Sequence, residues 1–395
     1  DFLEKHKEAI QERLYYRLAD LLNLDVDLVF YDTTSLHFEI DEADTIDQHG
    51  SQSAGGKRYP ALRKRGKAKN GRDDAPQLVI GLAVTRDGFP VRHWVFPGNT
   101  VDVTTVKQVK ADLKGWHLNR CLFVGDAGMV SASNLKTLSR GGGRYILCMP
   151  IHQGGEIAEA VLTRPGRYQT VAENLRVKEV VVGEGERRRR YVVCHNPQEE
   201  ARQRQHREQV VKELAAELDA LHHIDGTQHS KRICQLRASG RYGAYIRLTK
   251  SGRAVIDKAV IRAKERLDGK FVVHSNDDTL SAEDMALGYK QLQRVEEAWR
   301  SLKSGIRLRP VYHWTPHRIC AHVSLSVLAL LLERVAEQRC GDTWRNIRDD
   351  LKQIKLAQLL SPNGIVWQVT EPAPGAVKQL KSLQIKKPPP ILDLV

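Results

Sequence analysis

The chain has 395 residues, 41% of them hydrophobic and 28% charged, and its 62 Lys and Arg against 48 Asp and Glu give a formal net charge of +14. That apolar content excludes a wholly disordered chain, and the length allows one large catalytic domain with an insertion or two to three ordinary domains. The basic surplus favours a polyanionic partner, because clustered Lys and Arg neutralise phosphates and release counterions.

Helical patterning opens the chain (DFLEKHKEAIQERLYYRLADLL) with no initiator Met, so an upstream segment is expected. Residues 27–32 (DLVFYD) read as a buried strand ending on Asp32, and 37–40 (HFEI) continue or pair with it. Residues 41–76 are polar and glycine-bearing and read as a long loop. Two β-rich runs, 77–85 and 91–96, flank RDGFP, whose Asp-Gly signals a hairpin. A helix over 104–113 with Asp102 as cap, a strand over 121–124, a helix over 132–138 and a strand over 144–149 follow. This order implies a mixed sheet flanked by helices, the α/β layering of an RNase H-like core.

The middle of the chain changes character. Residues 168–194 are β-like around a charged turn (GEGERRRR), 197–223 form a charged helix, and strands at 245–248 and 270–274 enclose another helix. The block reads as a β-rich plus helical insertion. Ser281 and Asp284 then start a helix expected to run to Ser304. A helix over 316–337 and a tail with a helix and a short strand complete the chain. The expected division is 1–150 for the first part of the core, 151–275 for the insertion, 276–340 for the completion of the core and 341–395 for a C-terminal segment.

Six cysteines, at 121, 148, 194, 234, 320 and 340, form no Cys-x-x-Cys pair, which suits a reduced, cytosolic setting. The longest apolar run lies within Val323–Leu332, short of the roughly 20 residues of a membrane span, so no membrane partner is expected.

Chemistry concentrates on three acids. Asp32 ends an apolar strand before Thr33, Thr34 and Ser35. Asp126 ends another in FVGDAGMVS, among the small residues Gly125, Ala127 and Gly128. Carboxylates at strand ends can converge on hard cations, and small neighbours let a phosphate approach; the plainer alternative is that each Asp caps a turn. Glu296 lies in YKQLQRVEEAWRSLK with Tyr289 and Lys303 seven residues to either side, one face of a continuous helix. A solvated charged face has the same pattern. His93, Asn99 and Thr100 follow the hairpin and read as structural. His313, His317 and His322 are unevenly spaced with no acid nearby, and Trp299 and Trp314 read as core more than as platforms for stacking a displaced base.

These motifs resemble the DDE transposases of bacterial insertion sequences, in the IS-four-type branch with a Tyr-x2-Arg-x3-Glu-x6-Lys motif. Here the motif reads Tyr289, Leu292, Glu296, Lys303, with Leu at the Arg position. YDTTS, PQLVIGLAV, FPGNTVD, GDAGMVS and NDDTLSAEDMALGYKQL also resemble the family, across roughly residues 25–370. The resemblance implies an RNase H-like nuclease core in which Asp32, Asp126 and Glu296 are catalytic and hold two Mg²⁺, with Mn²⁺ as a substitute. It implies that Tyr289 and Lys303 hold phosphates, and that strands are cut and 3′-hydroxyls joined to target DNA. Terminal inverted repeats and target DNA would be the partners, bound by a homodimer in the bacterial cytoplasm at the nucleoid. A catalytically inactive DNA-binding derivative and a stand-alone RNase H-like nuclease are the alternatives.

Basic clusters extend the expectation. Lys57, Arg58, Arg63, Lys64, Arg65, Lys67, Lys69 and Arg72 lie within sixteen residues that hold no acid, and read as a mobile loop clamping DNA. Arg187–Arg190 form a second cluster, and Arg307 and Arg309 extend the phosphate track past Lys303.

Overall fold

The computed structural model describes residues 2–22, 27–45, 60–69, 71–151, 155–185, 188–221, 226–361 and 364–394. Lys57, Arg58 and Arg187 of the expected basic clusters fall outside the described residues. In chain order, α1 (Phe2–Leu22) precedes β1 (Leu28–His37), β2 (Gln77–Val84) and β3 (Pro90–Pro97). Then come α2 (Asp102–Gly115), β4 (Leu122–Gly125), α3 (Ala132–Ser139), β5 (Arg144–Met149), α4 (Glu156–Ala160), β6 (Gln169–Ala172), β7 (Leu175–Val182) and β8 (Arg189–His195). The middle continues with α5 (Pro197–Ala220), α6 (Gly226–Ala238), β9 (Ile246–Leu248), β10 (Ala254–Ile256), α7 (Lys258–Glu265) and β11 (Lys270–Ser275). The last third holds α8 (Ala282–Lys290), α9 (Gln293–Arg300), α10 (Pro316–Cys340), α11 (Trp344–Leu351), β12 (Leu356–Ser361), β13 (Gly364–Val369), α12 (Pro374–Ser382) and β14 (Ile391–Leu394).

The chain forms two compact units, Asp1–Val101 with Gln293–Val395, and Asp102–Leu292. These borders differ from the divisions at 150, 275 and 340 drawn from sequence.

In the first unit, β1, β2 and β3 form an antiparallel meander, with Thr34 opposite Ile80 and Gly81 opposite Trp94. Every residue of β2 is buried, the signature of a strand covered on both faces. The expected hairpin forms, with Gly88 at φ 81° and the Thr85 and Phe89 backbones bonded across it. One cover is α9, which packs on β1 and β2 and buries Val295, Ala298 and Trp299. Another is α10, which packs on β3 and on α1 and buries Ile319, Val323, Val327 and Leu330. By length and composition α10 could cross a membrane, yet half of its apolar window is buried inside the protein. The C-terminal segment is richer than expected: β12, β13 and β14 form a small antiparallel sheet, with α11 before it in sequence and α12 between β13 and β14.

The second unit carries a run of six strands in the order β4-β5-β11-β8-β7-β6. β4 and β5 are parallel, while the other pairs are antiparallel, so the sheet is mixed. With α2, α3 and α8 packed nearby, this is the expected α/β class. The block expected as an insertion contributes four of the six strands, because β11 pairs with both β5 and β8. Met149, Val161, Val180, Tyr191, Val193 and Val272 form one continuous apolar cluster across that border.

The helix expected over 281–304 is not continuous. Ser281 and Asp284 make a reciprocal capping box at the start of α8. The Gln291 N–H then bonds back to Leu287 and Tyr289 and closes the helix; α9 follows and ends in a π-helical turn, Ser301–Gly305. Seven-residue spacing therefore does not place Tyr289, Glu296 and Lys303 on one regular helix face.

Candidate active site

Asp32 sits in the middle of β1, opposite Leu82, and does not end the strand. The β-branched Thr33 and Thr34 extend it, and pairing with β2 continues to His37 opposite Gln77. Alternation puts Asp32 and Thr34 on the same face. There the Lys303 ammonium donates to Thr34 Oγ1 at 2.6 Å, and Lys69 Nζ lies 3.5 Å from Asp32 Oδ1 while donating to the Thr33 carbonyl at 2.7 Å. The Lys69 N–H also donates to Ser35 Oγ, which fixes that end of the loop on the strand. Burial holds Lys303 below the usual lysine range; Arg309 and Lys69 push the same way, and Asp32 opposes them. Three cations, Lys69, Lys303 and Arg309, and the Asp32 carboxylate thus act on one another on this side of β1, a setting in which a phosphate can be drawn to the lysines. The Asp32–Lys69 pair is partly solvated, worth at most about 1 kcal/mol to stability, so its consequence is placement of charge. Glu296 is exposed on α9, the helix that packs on β1.

Asp126 follows β4 directly, as expected, and accepts from its own neighbour's Ala127 N–H at 2.6 Å at the start of a short 3-10 turn. The Tyr289 hydroxyl donates to Asp126 Oδ1 at 3.2 Å. Burial pushes the Tyr289 phenol far up, and Cys148 and Asp126 add to the shift, so it stays a protonated donor. Phe271 packs against its ring at 5.4 Å. The small residues near Asp126 serve packing. A Cβ on Gly125 would come within 2.9 Å of Met129 Sδ, and one on Gly128 within 3.2 Å of Asp102 Oδ2.

Asp32 and Glu296 belong to the first unit and Asp126 to the second. Among the described residues no three His, Cys, Asp or Glu side chains lie close enough to hold one ion together. The three carboxylates expected from sequence are of the hard-oxygen kind that Mg²⁺ and Mn²⁺ prefer.

The basic loop is less free than its composition suggests. Arg63 is buried and grips Asp44 with Nε at 2.7 Å and a second nitrogen at 2.6 Å, under Trp314 at 5.2 Å. It is a structural residue and not part of a DNA clamp. Lys64 and Arg65 donate to the carbonyls of Asp44 and Asp41, and Arg72 pairs with Asp74 and Glu39. Lys67 is exposed. Arg188 and Arg190 of the second cluster pair with Asp278 and Glu179. Arg307 and Arg309 are exposed.

Several residues take the structural roles expected. Burial, with Lys7 and Arg92 adding, drives His93 to a pKa of about 3, and its Nε2 meets Ser324 Oγ at 3.0 Å. His322 Nε2 donates to the Leu308 carbonyl at 3.0 Å with the His313 ring edge-on to it. Leu292 is 7% exposed, so the position where related motifs carry Arg is a core position here, and Arg294 pairs with Glu297. Sequence reading missed the links from Lys69 to Asp32 and from Lys303 to Thr34, because each joins residues far apart in the chain; the YDTTS motif was the only signal.

Residues 42–332 match the family described as the transposase DDE domain. The chain belongs to the DDE transposase family. The matched stretch contains Asp126, Glu296, Tyr289 and Lys303, and begins just after β1, so Asp32 lies outside it. No curated protein sequence matches. Among solved structures, this DDE family member is similar to a piggyBac transposase synaptic complex with hairpin DNA, at 8% identity and a TM-score of 0.36, covering 80% of this chain and 49% of that one. It is also similar to the Mos1 transposase paired-end complex with left transposon end, at 14% identity and a TM-score of 0.18, covering 35% of this chain and 40% of that one. The matched part of the DDE family member thus spans about half or less of each of those chains.

Proposed function

We propose that this chain is a DNA transposase of the IS-four-type branch, built on an RNase H-like core, which cuts the ends of an insertion sequence and joins the freed 3′-hydroxyls to target DNA. Asp32, Asp126 and Glu296 are its catalytic carboxylates. One observation carries the reading. The two residues that flank Glu296 in the motif each reach toward another acid: Tyr289 bonds to Asp126, and Lys303 bonds to Thr34 on the face that carries Asp32. A solvated helix face supplies no reason for either link.

Two Mg²⁺, or Mn²⁺, held by the three carboxylates would supply the activation of the attacking oxygen and the stabilisation of the leaving one. The chain's own groups do the rest. Lys303, held by Thr34, presents a fixed ammonium to the scissile phosphate, with Lys69 and Arg309 extending the positive field. Tyr289 orients Asp126 through a hydroxyl that does not ionise. The partners are terminal inverted repeats and target DNA, engaged by a homodimer at the bacterial nucleoid.

The test is an assay with Mg²⁺ and DNA carrying the source element's terminal repeats. Joined products are expected, with Asp32→Ala, Asp126→Ala and Glu296→Ala each lowering cutting by at least a hundredfold while duplex binding persists. Cutting without joining would instead mark a stand-alone nuclease. Binding without cutting would mark a silent derivative.

A further inference from the structure

Between β8 and β11 the chain builds a small layer of its own from α5, α6, the β9–β10 hairpin and α7, around Leu221, Ile233 and Leu236. Its charge is lopsided. From Gly226 to Arg266 there are eleven Lys and Arg and two acids, Asp257 and Glu265, a net +9 of the whole chain's +14. Both acids have local roles. Asp257 caps α7 by accepting from the Ala259 and Val260 N–H groups, and Glu265 lies 3.9 Å from Arg207.

The neighbouring helix shows what an ordinary solvated face looks like. On α5, Arg202 pairs with Glu199 and Arg204 with Glu200, and Glu217 and Glu213 of α5 take up Arg232 and Arg241. On α7 the pattern is different. Lys258 and Arg262 of α7 and Arg266 at its C-cap follow one another at four-residue spacing, all exposed, with no carboxylate partner among the described residues. Like charges at that spacing share one helix face and repel, each pair costing a few tenths of a kcal/mol. The β9–β10 hairpin adds Arg247, Lys250 and Arg253, also exposed, on a two-stranded ribbon that packs Ile246 and Ala254 inward. The helix dipole favours Arg262 and Arg266 at the end of α7, but with no carboxylate paired to it the stripe stays a concentrated positive surface that a polyanion can neutralise.

We propose that the Lys258–Arg262–Arg266 stripe along α7 and its C-cap, with the β9–β10 hairpin, docks the sugar–phosphate backbone of duplex DNA at a surface of the second unit that includes none of the proposed catalytic carboxylates. The partner's identity rests on the transposase reading above; the polyanion chemistry does not. Lys and Arg contacts to phosphate position a duplex without reading its bases, so the contact is independent of sequence. A lipid surface fits less well, because α7 offers no Trp, Phe or Leu to anchor in a bilayer and the hairpin exposes a single large apolar side chain among its described residues, Leu248.

The experiment uses the full chain in EDTA, a fluorescent duplex without element ends, and anisotropy between 50 and 200 mM salt. The variant is K258Q/R262Q/R266Q, since Gln keeps helix propensity close to that of Lys and Arg; circular dichroism checks its fold. The expected slope of log K against log salt is shallower by about 0.9 for each phosphate contact removed, near 2.7 for all three, with at least tenfold weaker binding at low salt. R202Q/R204Q on α5 should bind within about twofold of the wild type. An unchanged slope and affinity in the α7 variant overturns the docking surface and leaves the catalytic reading intact. Wild-type protein that binds phosphatidylglycerol vesicles and not duplex overturns the DNA partner, while the joining assay decides the catalytic reading separately.

Discussion

His93 lies in β3 with its ring out of water, and burial drives its pKa from 6.5 to about 3. The folded state therefore prefers neutral imidazole, and the unfolded state binds the proton first as pH falls. The resulting stability is complete above pH 6.5 and drains away as pH drops toward 3, at roughly 1.4 kcal/mol per pH unit. Urea unfolding at pH 7.5, 5.5 and 4.5 should show the wild type losing more stability than His93→Gln on acidification. Parallel losses would mean that His93 is not the group responsible. Asp32, Asp126, Glu296, Tyr289 and Lys303 stand out as candidates in sequence because short motifs surround each of them, and the structure adds the bonds of Tyr289 to Asp126 and of Lys303 to Thr34. The role of Arg63 was not legible in sequence. Eight cations without an acid look like a clamp until Asp44, outside that stretch, is found holding one of them in the core. Local composition cannot show a partner that folding brings from 19 residues away.

At the scale of elements, strands with strong signals were plain: β2 reads as an unbroken apolar run, and Asp-Gly marks its turn into β3. The division between α8 and α9 was not, because neither Pro nor Gly occupies Gln291 or Leu292 and the hydrophobic pattern continues through them. The same break explains Leu292. Its amide bonds to the Tyr289 carbonyl in the tightened last turn, and its side chain is buried. Placing there the Arg of the motif that the sequence resembles, by Leu292→Arg, would force a guanidinium into a buried position. The expected result is a loss of about 3 kcal/mol or more, read as a lower Tm, with no gain in DNA affinity. A variant of unchanged Tm that binds DNA more tightly would show instead that the position faces the phosphates.

Across the whole molecule, the first unit is assembled from both ends of the chain, which no reading of contiguous segments could reveal. Its strands β1, β2 and β3 lie within 97 residues of the start, yet α9 and α10, the helices that pack on them, come after residue 292. Val295, Trp299, Ile319, Val323 and Leu330 are among the side chains that those helices bury. Each fully buried side chain of this size is worth about 1.5–3 kcal/mol, and a domain has only about 5–15 kcal/mol of net stability. A chain ending at Leu292 keeps every residue of the second unit but loses this cover. Limited proteolysis followed by mass spectrometry should find rapid cleavage within residues 28–97 of the truncated chain, at sites that are protected in the full one. If β1 to β3 remained protected after truncation, the meander would be stable without α9 and α10, and the carboxylate of Asp32 would owe its placement to the strands alone.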